Sequence, residues 1–188
     1  MNKKIYLENL PNIRKKFFKK NIGLAHGAFD FFHYGHLLHL KKAKEKCDIL
    51  IVSITDKKLV KKGKGRPFYN NEQRLNFLKS LDCVDYVLIS YNHSSVNIIK
   101  KLKPNIYFKG SDYKDFKKDH SKKILKENQA VKEIDGKIFF TNEKTMSSTK
   151  ILNNYTEIHD QEAKSFLKKN SIKFKFEDIL NNLKEINK

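Results

Sequence analysis

Ile22-Gly23-Leu24-Ala25-His26-Gly27-Ala28-Phe29-Asp30-Phe31-Phe32-His33-Tyr34-Gly35-His36 is the stretch that decides the fold. Ile22 to Gly27 reads as a buried strand and Ala28 to Phe32 as a turn. Leu37-Leu38-His39-Leu40-Lys41-Lys42-Ala43-Lys44 then continues with apolar residues at helical spacing. His36 therefore sits near a helix N-terminus, where unpaired backbone N–H groups and the positive end of the helix dipole favour an anion. Gly35 lets that anion approach the backbone. His33 and His36, three residues apart, can point at the same phosphate.

Outward from this stretch, further β-rich apolar runs fall at Ile49-Leu50-Ile51-Val52-Ser53-Ile54, Tyr86-Val87-Leu88-Ile89, Asn105-Ile106-Tyr107-Phe108 and Lys137-Ile138-Phe139-Phe140. Helical patterns lie between them, near 36–46, 71–80, 94–102 and 119–132. Short apolar strands alternating with helices predict an α/β fold, a Rossmann-like doubly wound parallel sheet of five strands covered on both faces. Ligands of such sheets bind at the carboxyl ends of the strands. The candidate motifs obey that rule: Asp30 to His36 follow the first strand, Lys61 to Arg66 the second, Lys109 to Tyr113 the fourth and Thr145 to Thr149 the fifth.

At 188 residues the chain can bury one α/β core with appendages. The expected division is a basic helical extension over 1–20, its helix at Asn12 to Lys20 with Phe17 and Phe18 able to rest on the sheet, a main α/β domain over 21–155, and a C-terminal helical tail over 156–188. No stretch resembles a signal peptide or a membrane span, so a soluble cytoplasmic protein without a membrane partner is expected. Cys47 and Cys83 lack metal or disulfide spacing and read as core residues.

The net charge of +19 invites a nucleic-acid reading, but the 40 basic residues comprise 37 lysines and only three arginines, Arg14, Arg66 and Arg74. Specific nucleic-acid surfaces want Arg forks and stacking aromatics. No specific nucleic-acid partner is expected. The same scarcity singles out Arg66 and Arg74, close together after the second strand, where a planar five-donor group is needed and Lys would not substitute.

Gly27-Ala28-Phe29-Asp30-Phe31-Phe32-His33-Tyr34-Gly35-His36 together with Met146-Ser147-Ser148-Thr149-Lys150-Ile151 resembles the cytidylyltransferase-like nucleotidyltransferases, whose signature pairs G-x-F-D-x-x-H-x-G-H with a later Ser/Thr motif. Lys62-Gly63-Lys64-Gly65-Arg66-Pro67, Asn71-Glu72-Gln73-Arg74 and Lys109-Gly110-Ser111-Asp112-Tyr113 are most similar to the heptose-1-phosphate branch, with the glycerol-3-phosphate cytidylyltransferases next. The resemblance runs over about residues 20–153. In longer proteins of this kind a segment like the tail leads into a sugar kinase, and no kinase motif follows here.

Nucleotidyl transfer needs an oxygen nucleophile attacking the α-phosphorus of an NTP (CTP or ATP) in line, with pyrophosphate leaving. A phosphorylated sugar or polyol is already anionic and requires no general base. Catalysis is then positioning and charge neutralisation. His33 and His36 suit this as hydrogen-bond donors, and Lys62, with Lys61 as the alternative, as a cation over the triphosphate. Mg²⁺ is expected on the NTP, held mainly by phosphate and water, with no protein metal site. His39 extends the histidine spacing, but three His on one helical edge make poor zinc geometry.

The resemblance implies that Met146, Ser147, Ser148 and Thr149, at the start of a helix over Ser147 to Asn153, cradle the β- and γ-phosphates, and that Lys109, Gly110, Asp112 and Tyr113 line the nucleotide pocket. Gly27, Ala28, Phe29, Asp30, Gly35, Lys61, Arg66 and Arg74 complete the expected nucleotide contacts. Asp30 has a structural alternative, orienting the turn by accepting backbone N–H bonds. Two departures bear on the substrate. The glycerol-3-phosphate enzymes carry an arginine before the Ser/Thr motif where this chain has Asn142-Glu143-Lys144-Thr145, and the pantetheine and nicotinamide-mononucleotide enzymes have Pro where Phe31 stands. The expectation is a nucleotidyltransferase, forming a homodimer, that supplies activated precursors for surface polysaccharide. The alternative is a non-catalytic nucleotide-binding or docking module working with a separate sugar kinase.

Overall fold

The computed structural model describes residues 3–61, 66–110 and 123–141, all within the unit Met1–Ser148. Lys62, Asp112, Tyr113, Met146, Ser147, Ser148 and Thr149, the helix expected over Ser147 to Asn153 and the 156–188 tail lie outside the described residues.

Five strands form one parallel sheet: β1 (Ile22–Gly27), β2 (Ile49–Thr55), β3 (Tyr86–Ser90), β4 (Ile106–Gly110) and β5 (Lys137–Thr141), in the order β3-β2-β1-β4-β5. Each begins within a residue of its apolar run, because strands buried on both faces are written as continuous hydrophobic stretches rather than alternating ones. Helices α1 (Leu10–Lys16), α2 (Tyr34–Lys44), α3 (Asn71–Lys79), α4 (Val96–Leu102) and α5 (Lys123–Lys132) supply the two covering layers. The fold is the expected Rossmann-like α/β arrangement.

Alternation along the strands divides the core in two. Leu24, Ile51, Leu88 and Tyr107 face one side, against Leu10 and Ile13 of α1, Ile98, Ile99 and Leu102 of α4, and Ala130 and Val131 of α5. Ala25, Val52, Val87 and Phe108 face the other, against Leu40 and Ala43 of α2 and Leu75 and Leu78 of α3. Burying each such Leu or Ile contributes about 1.5–3 kcal/mol. Gly23 is required where the second layer is tightest: a Cβ there would come within 2.5 Å of Phe108 Cε2 and 2.7 Å of Cys47 Sγ.

The basic N-terminal helix lies earlier than its lysines suggest. It starts at Leu10 with Pro11 in its first turn and ends before Phe17, because Leu10 and Ile13 form the buried stripe and the lysines that follow do not. Phe17 contacts Tyr86 at 6.2 Å between ring centroids, whereas Phe18 is exposed. Ahead of this helix, the backbone from Lys3 to Ile5 lies along the outer side of β3: Val87 N–H donates to Lys3 O at 2.8 Å and Ile5 N–H to Val87 O at 2.9 Å.

Candidate active site

The strand order reverses between β1 and β4, and the ladder between them stops short. The β1–β2 register runs to Gly27↔Ile54 and the β4–β5 register to Gly110↔Thr141, but the β1–β4 register ends at Ala25↔Phe108. The sheet therefore splits at its carboxyl edge, with His26-Gly27 on one lip and Lys109-Gly110 on the other. A crevice outside the carboxyl ends at a topological switch point is where open α/β sheets take their ligands. Among the described residues nothing would lie within 4 Å of a Cβ on Gly110.

On the β1 lip, the turn leads directly into α2. Phe29 and Phe31 have φ of 45° and 52°, in the left-handed region that costs a residue with a Cβ roughly 1–2 kcal/mol. Asp30 between them is fully buried and anchors the turn. Its carboxylate accepts from Phe68 N–H at 2.9 Å, from Tyr69 N–H at 3.4 Å and from Arg66 Nε at 2.5 Å. These donors come from the segment just before α3, so Asp30 and Arg66 together join the loop after β1 to that segment.

His33 is the N-cap of α2 in extended conformation (φ −133°, ψ 171°), which puts Tyr34, Gly35 and His36 in the first turn. The His33 and His36 rings stack with centroids 3.8 Å apart at 21°. His33 N–H donates to His36 Nδ1 at 3.4 Å, which places the His36 ring proton on Nε2. Phe29 and Phe32 flank the His36 ring at 5.3 and 5.5 Å. The paired histidines of the sequence thus form one unit at the dipole-positive end of an 11-residue helix, beside the crevice.

Arg74, expected at the nucleotide, is 1% exposed and lies behind the turn. Its Nη1 donates to Ala28 O at 2.6 Å and Thr55 O at 2.9 Å, and its Nη2 to Asn71 Oδ1 at 2.6 Å. One guanidinium thereby holds the carboxyl ends of β1 and β2 together, and burial lowers its pKa while Asp30 and Asp56 oppose that shift. Asn71 and Asp56 extend the brace: Asn71 Nδ2 donates to Asp56 Oδ2 at 2.6 Å, and Lys57 N–H and Lys58 N–H donate to Asn71 Oδ1 and Asp56 Oδ1, each at 2.8 Å. Lys61, at the end of this described stretch, is exposed.

On the β4 lip, Lys109 is 6% exposed and its Nζ lies 2.8 Å from Glu127 Oε2 of α5. The same oxygen accepts from Tyr107 OH at 2.9 Å, and Glu127 Oε1 accepts from Ser95 N–H at 3.1 Å. Burial raises the Glu127 pKa, but the Lys109 ammonium, the charge of His26 and the Ser95 N–H together outweigh it and the net shift is downward. His26, half-buried, is held at Nδ1 by Ser53 Oγ at 2.6 Å. His39 pairs Nδ1 with Thr141 Oγ1 at 2.7 Å, and its pKa is lowered to about 4 by burial and then by Lys109. Among the described residues no three His, Cys, Asp or Glu side chains are grouped to hold a metal ion.

Sequence reading missed Glu127, Tyr107 and Thr141, and quoted Asn71 within its motif without giving it a role. Only Glu127 had a local signal, a carboxylate on the buried stripe Ile124, Glu127, Ala130 and Val131.

Residues 24–154 match the family described as Cytidylyltransferase-like. Among curated proteins the chain is 35% identical over 133 residues to the bifunctional protein HldE of Campylobacter concisus, covering 70% of this chain and 28% of that protein. It is 40% identical over 111 residues to HldE of Helicobacter acinonychis, covering 58% and 24%. The chain thus spans about a quarter of the length of these relatives. Among solved structures, a lipopolysaccharide core biosynthesis protein of Thermoplasma volcanium superposes with a TM-score of 0.56 at 21% identity, over 67% of this chain and 99% of that one. A pantoate-beta-alanine ligase of Francisella tularensis follows at 0.53 and 20% identity, over 82% and 78%. At these identities the structural likeness speaks for the fold alone.

Proposed function

This chain belongs to the cytidylyltransferase-like family, and from that membership we propose that it transfers a nucleotidyl group, CMP or AMP, from an NTP to a sugar or polyol phosphate with release of pyrophosphate. The observation that carries the reading is the stacked His33–His36 pair at the N-terminus of α2, beside the split between β1 and β4. The similarity to HldE proteins favours a sugar phosphate as acceptor.

In the proposed reaction a phosphate oxygen of the acceptor attacks the α-phosphorus, the bond to the bridging oxygen breaks, and pyrophosphate departs. His33 and His36 donate hydrogen bonds to the phosphates as negative charge builds on the five-coordinate phosphorus and the leaving group. The N-terminal N–H groups of α2 add to this field without reorganising. Asp30, Arg66 and Arg74 fix the turn that carries the histidines, since a small displacement of reacting groups is costly in rate. Lys62, the Ser147–Thr149 cradle and Asp112 and Tyr113 complete the proposed contacts. Mg²⁺, when bound, would neutralise triphosphate charge. Asp30, the carboxylate on the β1 lip, already accepts from Arg66 and two backbone N–H groups, which fits a metal held by phosphate and water.

A homodimer in the cytoplasm, making precursors of surface polysaccharide, completes the proposal; no helix among the described residues is long and apolar enough to cross a membrane. The test is pyrophosphate release from each of four NTPs against sugar, glycerol and amino-alcohol phosphates. Release that requires both partners supports the transferase. Nucleotide binding without release against any acceptor favours the docking module, a reading that leaves the paired histidines without a chemical task.

A further inference from the structure

We infer that Glu127 of α5 is a positioning residue for the nucleotide crevice, setting the β4 lip through Lys109, and that Lys109 acts as its counter-charge rather than as a phosphate ligand. The inference rests on the nucleotide-binding part of the proposed function. Its basis is the convergence of three elements on one carboxylate that is 2% exposed. Ser95 N–H comes from the start of α4, Tyr107 OH and Lys109 Nζ from β4, and the carboxylate itself from α5. Ser95 Oγ closes the network on Tyr107 OH at 2.7 Å, and the Lys109 ammonium lies 5.1 Å from the centroid of the Tyr107 ring.

Position gives this network its consequence. Lys109 and Gly110 lie past Phe108, the last β4 residue paired with β1, so no β1–β4 ladder fixes that lip. On one side the lip is held by β5, through Lys109↔Phe140 and Gly110↔Thr141. On the other face, the Glu127 network supplies the restraint. An ion pair at 2.8 Å between side chains 7% and 3% exposed is geometrically exacting, because neither charge can turn to water without unburying. A buried pair of this kind is weak evidence of added stability, and its role here is to hold one arrangement of the lip.

Two roles for Lys109 predict opposite outcomes. If its ammonium served the triphosphate, Glu127 would compete for it, and Glu127→Gln would release the cation and tighten NTP binding. If the pair positions the lip, removing either charge displaces β4 and weakens binding. The experiment measures calorimetric binding of the Mg²⁺ complexes of ATP and CTP, and steady-state pyrophosphate release, for wild type, Glu127→Gln, Lys109→Met and the double variant.

We expect each single variant to weaken NTP binding at least tenfold, with KM for NTP rising while kcat stays within threefold. The double variant should bind no worse than the poorer single one, because the two charges act as a unit. Tighter or unchanged binding by Glu127→Gln overturns the inference. If that variant does not fold, as judged by circular dichroism, Lys109→Met/Glu127→Met serves instead, since it leaves no buried charge alone. It lacks the acceptor for Ser95 N–H and Tyr107 OH and should still bind at least tenfold more weakly; wild-type binding by this folded variant also overturns the inference. A wild type that binds NTP but releases no pyrophosphate removes the catalytic reading and leaves this inference standing on the binding data. A wild type that binds no NTP removes both.

Discussion

Replacing Arg74 by Met should unfold the site before it alters any contact with substrate. The methionine keeps most of the aliphatic stem but removes every donor, so Ala28 O and Thr55 O each lose a charge-assisted bond, at 2.6 and 2.9 Å. A carbonyl left without a donor costs about 1–3 kcal/mol when buried. Ala28 and Thr55 are half-buried and water recovers part of that loss, which puts the pair at about 2–4 kcal/mol. For a chain of this length each kcal/mol lowers Tm by about 2–4 °C, so Arg74→Met should melt roughly 4–16 °C below wild type. Arg74→Lys should recover little, because one ammonium cannot span acceptors in the turn after β1, on β2 and on Asn71 as the guanidinium fork does. Thermal and urea unfolding followed by circular dichroism measure this directly. An Arg74→Met protein within 1 °C of wild type, with KM for NTP raised at least tenfold, would refute the bracing role and return Arg74 to the nucleotide.

His33→Ala and His36→Ala should each lower turnover by about 10²–10⁴ in a folded protein, as expected when a donor to transition-state charge is lost; near wild-type turnover would remove that histidine from the chemistry. His39 is neutral in the fold with a pKa of about 4 against 6.5 unfolded, so its stabilising contribution is complete above pH 6.5 and is lost as the pH falls towards 4. Over that interval wild type should lose about 3 kcal/mol more than His39→Leu, and parallel stability profiles would contradict it. Gly23→Ala should cost about 1–3 kcal/mol through overlap with Phe108 and Cys47, read from urea midpoints, with an unchanged midpoint as the contrary result. Sugar-1-phosphates should exceed glycerol-3-phosphate as acceptors in kcat/KM, because a site built for hydroxyl groups leaves its own polar groups unpaired against a smaller substrate; a tenfold preference for glycerol-3-phosphate would reverse this.

What the sequence revealed and what it concealed divide along sequence distance. The five strands and the β1–α2 turn were legible because each is written in consecutive residues: an apolar run, or His33 and His36 one helical turn apart. The first helix was misread because its signal is sparse. Leu10, Pro11 and Ile13 define it, and the conspicuous lysines that follow Lys16 do not. The braces were only half legible: Asp30 could be read as an acceptor of backbone N–H bonds that orients the turn, but the partners of the braces could not. Asp30 meets Phe68 N–H across 38 residues and Arg74 meets Ala28 O across 46, and nothing local marks either partner. Arg74 was noticed for its rarity, which is a signal that an arginine is needed but does not say whether for a phosphate or for two carbonyls. Lys109 shows the same ambiguity, because its partner lies on a helix that the topology brings back under β4.

The pairing of Lys3 to Ile5 with Val87 has a consequence for how this chain survives its own synthesis. β3 is the outermost strand on its side of the sheet, and Tyr86-Val87-Leu88-Ile89-Ser90 carries no charge, which would make its open edge a template for strand addition by another chain. The N-terminal segment occupies part of that edge and places Lys3 and Lys4 along it. Because it precedes β3 by some eighty residues, it has left the ribosome before the edge exists, and it can dock as soon as β3 joins the sheet. A chain trimmed to Leu7 would keep its crevice and histidines yet present a bare, uncharged edge to its neighbours, and its fate would be decided by aggregation before catalysis could be asked of it.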